Sequence, residues 1–93
     1  MRHVLYKQGV CGDLTREATR GFGQVAALYE RNGIDMVVTS IREGNHSAWS
    51  LHYIGRAFDL RVTDIDVTQI REVLGPEWDV VDEATHIHCE LDP

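Results

Sequence analysis

The stretch Thr85-His86-Ile87-His88-Cys89 constrains the fold more than any other feature of the chain. Side chains along a β-strand alternate between faces with a period of two. A strand here puts His86 and His88 together on one face and turns Ile87 and Cys89 towards a core. Thr85 to Leu91 therefore reads as a strand, with Trp78 to Val81 before it and a hairpin turn near Asp82 to Ala84.

The rest of the chain supplies the layers that such a strand needs. Val4 to Tyr6 reads as a short first strand, and Gly9 and Gly12 bracket a turn. Asp13 is the expected N-cap of a helix running to about Arg31, with Leu14, Ala18, Phe22, Val25, Leu28 and Tyr29 on one apolar face. Gly21 and Gly23 weaken that helix, and Asn32-Gly33 stops it. Ile34 to Ile41 is a Val/Ile/Thr-rich strand, and residues 42 to 51 read as a loop. Arg56 to Val62 forms the next strand, with Ala57, Asp59 and Arg61 on one face and Phe58, Leu60 and Val62 on the other. Asp66 and Gln69 resemble a capping box for a short helix carrying Val67, Ile70, Val73 and Leu74, which Gly75-Pro76 ends. The order β–α–β–loop–β–α–β–β predicts an α+β single domain over residues 1–93, a mostly antiparallel sheet with helices on one face.

With 93 residues the chain buries one modest core, so a bound metal would be a useful staple. A net charge of −6 argues against binding a phosphate backbone, which requires clustered Lys and Arg. No apolar run approaches the roughly 20 residues that cross a bilayer, so membrane insertion is not expected. The N-terminus shows no signal peptide, which predicts cytoplasmic synthesis and favours free thiols at Cys11 and Cys89 over the alternative, a Cys11–Cys89 disulfide. Neither cysteine lies in a CxxC pair, which excludes a cysteine zinc finger.

The chemistry concentrates in two places. In Ser50-Leu51-His52-Tyr53-Ile54-Gly55-Arg56-Ala57-Phe58-Asp59, His52 sits at a loop end and Asp59 inside a strand, with Gly55 between them and small Ala57 leaving room beside Asp59. Nitrogen and carboxylate ligands suit zinc, and three protein ligands leave a position for water. His52, Asp59 and one histidine of the His86/His88 pair supply three, and the other histidine is left to contact the water or a developing oxyanion. Such a metal lowers the water's pKa towards about 7 and polarises a carbonyl. A carboxylate must then take the proton, and Asp82 and Glu83 are the nearest candidates. Taken singly, these residues have plainer readings: a solvated loop histidine for His52, and a salt bridge to Arg61 or Arg42 for Asp59.

Ser50-Leu51-His52, Gly55, Ala57 and Asp59, followed by His86-Ile87-His88, resemble the two signatures of the lysostaphin/D-Ala-D-Ala-peptidase/hedgehog group of zinc metallopeptidases. The likeness extends over roughly Val37 to Pro93. It is shared by small phage and bacterial D-Ala-D-Ala carboxypeptidase-type proteins and by the hedgehog signalling domain. The resemblance implies Zn2+ held by His52, Asp59 and His88, with His86 as the catalytic histidine. It places Arg42, His46 and Ser50 on the substrate side. Many peptidases of the group keep their acid three residues before the last zinc histidine, where this chain has Thr85. Hedgehog-type domains keep it six before, at Asp82, and Glu83 fits some phage relatives. The resemblance implies a monomeric peptidase, of phage type, cutting peptidoglycan stem peptides at D-Ala-D-Ala or L-Ala-D-Glu type bonds by a metal-activated water. The alternative is a catalytically inactive hedgehog-like zinc module or a phage structural component.

Overall fold

A computed structural model describes residues 4–8, 14–41 and 55–92. The expected turn at Gly9 and Gly12, the expected N-cap Asp13, Cys11 and the expected loop at 42–51 lie outside them. The elements are β1 (Val4–Tyr6), α1 (Arg16–Arg31), β2 (Met36–Ser40), β3 (Ala57–Arg61), α2 (Val67–Leu74), β4 (Trp78–Asp82) and β5 (His86–Leu91). They form an α+β fold on a five-stranded sheet of order β1-β2-β3-β5-β4.

β1 and β2 pair in parallel through α1, a β–α–β crossover, and the other three pairings are antiparallel. This places β3 at the centre, with neighbours on both edges. Phe58 lies opposite Cys89 and Leu60 opposite Ile87, so these four share the core face. Both helices pack into that core: Val25, Leu28 and Tyr29 of α1 and Ile70 and Leu74 of α2 join Val38, Phe58, Leu60, Val80, Ile87 and Cys89. The rings of Phe22 and Trp78 meet Phe58 edge-on at 5.1 and 5.6 Å, the geometry their quadrupoles favour.

Local chemistry explains the helix ends. Asp66 accepts from Thr68 N, and the Gln69 side chain accepts from Asp66 N, so the expected capping box is present. α1 starts later than expected, with Thr15 as its N-cap: Thr15 Oγ1 accepts from Ala18 N at 3.2 Å, and Thr15 N donates to Gly55 O at 2.8 Å. A tertiary contact with the entrance to β3 therefore helps to set where the helix begins.

Gly21 corrects a second expectation. It is buried, and a Cβ there would collide with the indole of Trp78 and stand 3.0 Å from Leu74 Cδ2. Its missing side chain is what lets α1 approach Trp78. Gly23, by contrast, faces open space.

Candidate metal and acid–base site

β3 and β5 pair in register with Asp59 opposite His88, Arg61 opposite His86 and Ala57 opposite Glu90. These positions lie on the face away from Phe58 and Leu60, as the strand alternation predicts. Asp59 is only 7% exposed, on the central strand. A bulge in β2 between Val38 and Ser40 lies directly beside it, with Ser40 as the partner of Asp59. Bulges commonly re-aim strands next to functional sites.

A buried carboxylate needs partners. His88 Nδ1 lies 2.8 Å from Asp59 Oδ1, and His88 Nε2 lies 3.0 Å from Glu90 Oε1. As an imidazolium, His88 donates from both nitrogens. The Asp59 hydrogen bond is the largest cause that raises its pKa, followed by that of Glu90; burial opposes them, and the result is about 9 against an ordinary 6.5.

His86 occupies the neighbouring position on the same face. Its Nε2 is 3.1 Å from Glu83 Oε2 and 3.8 Å from Asp59 Oδ2, and its Nδ1 is 2.9 Å from Thr85 Oγ1. A neutral ring protonated at Nε2 satisfies both short contacts, donating to Glu83 and accepting the Thr85 hydroxyl. Thr85 thus has a role that its reading as a missing acid overlooked.

The two candidate acids separate. Asp82 lies opposite Ile87, at the exposed end of β4, and its Oδ1 accepts from Ala84 N at 2.9 Å. Glu83 is carried across to His86 by the hairpin turn, where Thr85 N donates to Glu83 O around Ala84 at φ 71°. Of the two, Glu83 is the acid that reaches His86.

The donor chemistry fits zinc as far as the described residues reach. Donors about 2.1 Å from a tetrahedral zinc ion stand about 3.4 Å apart, so Asp59 Oδ1 and His88 Nδ1, now hydrogen-bonded at 2.8 Å, would part by about 0.6 Å to share one. Among the described residues no group of three or more His, Cys, Asp or Glu is gathered to hold a metal. Asp59 and His88 supply two donors; His52, the expected third, lies outside the described residues with Arg42, His46 and Ser50. The chain leaves the described residues at Ile41, next to Ser40, and re-enters at Gly55, two residues before Ala57.

Cys89, between His88 and Glu90, points the other way. It is fully buried with a free thiol, and burial pushes its pKa strongly up, which leaves it an inert core residue. Sequence reasoning passed over Glu90, although its position two after His88 placed it on the same face.

No family model matches the sequence. A relative does: the chain is 29% identical over 75 residues to the Indian hedgehog protein of Gallus gallus. The similarity is hedgehog-like. It covers 72% of this chain and 18% of the hedgehog protein, so the chain spans less than a fifth of that relative's length. Among the described residues no helix is long and apolar enough to cross a membrane.

Proposed function

We propose that the chain is a zinc-dependent peptidase that hydrolyses peptide bonds of peptidoglycan stem peptides, of D-Ala-D-Ala or L-Ala-D-Glu type. The observation that carries this reading is the gathering of Asp59, His88 and His86 on one face of adjacent strands, with Glu83 reaching His86. Asp59 and His88, with His52, would hold the metal. When bound there, zinc supplies Lewis acidity to a water molecule and to the scissile carbonyl.

The chain's own residues supply the proton traffic. Glu83 Oε2 accepts a proton from the attacking water and returns it to the leaving amine, work worth about 10²–10⁴-fold in rate. His86, steadied by Thr85, holds Glu83 through its Nε2–H and turns that N–H to the developing oxyanion once Glu83 has taken up the proton. Asp59, Glu83 and Glu90 outnumber the two imidazoles, so the site favours a divalent cation and tolerates a cationic amine. Arg42, His46 and Ser50 are proposed to meet the substrate.

A second reading follows from the Indian hedgehog similarity: a zinc-binding module that does not hydrolyse. Digestion of purified peptidoglycan by the zinc-loaded protein, with and without a chelator, separates the two. The peptidase reading expects chelator-sensitive release of peptides with new termini identifiable by mass. Stoichiometric zinc with no cleavage products would leave the binding module.

A further inference from the structure

His88 is held from both sides: Nδ1 faces Asp59 at 2.8 Å, and Nε2 faces Glu90 at 3.0 Å. An imidazole can offer either nitrogen to a metal, and which one it offers depends on what holds the other. Glu90 lies two residues after His88 on the same strand, so both side chains emerge on one face. Opposite Glu90 on β3 stands Ala57, fully buried, which presents only a methyl group and leaves space for the glutamate to lean towards His88. Glu90 is itself half-buried, with its side chain 25% exposed, so this hydrogen bond is partly shielded from competing water.

We propose that Glu90 is the positioning residue of the metal centre: it accepts the Nε2–H of His88, fixes the ring, and thereby assigns Nδ1 as the nitrogen that joins Asp59 on the metal. The inference rests on the zinc reading above and adds to it the choice of nitrogen and the residue that makes it. Carboxylates that receive the outer N–H of a ligating histidine typically contribute 10- to 100-fold in metal affinity. Alanine at position 57 is part of the same device, because a larger side chain would compete with the Glu90 carboxylate for its place.

The test uses the full chain and zinc alone. Zinc affinity is measured by competition with a chromophoric chelator for the parent, Glu90→Gln and Glu90→Ala, with far-UV circular dichroism to show that each is folded. Nitrogen-15 NMR of the zinc-loaded parent then reports which nitrogen of His88 carries the proton. The proposal expects Nε2–H with metal at Nδ1, a 10- to 100-fold loss of affinity in Glu90→Ala, and a smaller loss in Glu90→Gln, whose amide oxygen still accepts. Parent-like affinity in folded Glu90→Ala, or metal at Nε2 in the parent, overturns the role of Glu90 and leaves the zinc reading standing. A parent that binds no zinc overturns both. Should Glu90→Ala fail to fold, Glu90→Gln and the parent spectrum decide: unchanged affinity in Glu90→Gln, or metal at Nε2 in the parent, overturns the assignment.

Discussion

Asp59 and His88 face one another at paired positions of β3 and β5, with Oδ1 and Nδ1 2.8 Å apart on the face of the sheet that the helices do not cover. Backbone register fixes this contact, since Phe58 and Ile87 and their alternates lock the opposite face into the core. A one-residue slip of either strand would exchange the two faces. The core therefore holds the candidate site in alignment.

The same contact predicts a pH dependence in the metal-free protein. The folded pKa of His88, about 9, lies above its ordinary 6.5 because Asp59 and Glu90 hold the charged ring. The resulting stability is fully present below about pH 6.5 and is lost as pH rises through about 9. After discounting for partial solvent access, roughly 2 kcal/mol should disappear across that window. Urea unfolding of chelator-treated protein between pH 6 and 10 should show the decline, and His88→Gln should flatten it. A profile of the parent that is level over this range contradicts the charged-ring assignment.

Glu83 and Asp82 should differ sharply in activity. Glu83→Gln keeps the size of the side chain and removes the base, and should lower kcat by about 10²-fold or more. Asp82→Asn, altering a residue that caps Ala84 N, should leave kcat within about twofold while costing a few tenths to 1 kcal/mol of stability. Steady-state kinetics on a muropeptide substrate measures both, and the reverse ranking would move the acid to Asp82.

His86 should be separable from the metal. His86→Ala is expected to retain stoichiometric zinc and lose hydrolysis, because its Nε2 is directed at Glu83. Elemental analysis alongside the kinetic assay checks this. Loss of zinc together with activity would make His86 a ligand.

Two glycines of α1, Gly21 and Gly23, should respond to substitution in opposite directions. Gly21→Ala drives a methyl into Trp78 and should destabilise by about 1–3 kcal/mol. Gly23→Ala meets open space and should stabilise by about 0.5–1 kcal/mol. For a domain of this size each kcal/mol moves Tm by about 4–8 °C, so thermal melts resolve both.

What could be read in advance followed local rules. The capping box at Asp66 and Gln69, the alternation of β3 from Ala57 to Arg61 and the inward Ile87 and Cys89 are set by neighbours in sequence and appear in the fold, whereas Val62, expected on the face of Phe58 and Leu60, lies beyond the strand and is exposed. Features set across the fold were not legible. The start of α1 depends on Gly55 O. The need for glycine at position 21 comes from Trp78, far along the chain. The separation of Asp82 from Glu83 arises from the strand register and the turn at Ala84, two positions where sequence alone left both acids open. Glu90 was within reach of the period-two rule, but a lone acid on a strand carries no signal until the ring beside it is known to need a partner.

The most direct test of the central claim is a zinc titration of chelator-stripped protein followed by calorimetry, comparing the parent with Asp59→Ala and His88→Ala. The account predicts one zinc ion per parent chain and loss of that stoichiometric site in both variants, each still folded by circular dichroism. A parent that takes up no zinc, or a variant that binds one equivalent with parent affinity, would contradict it.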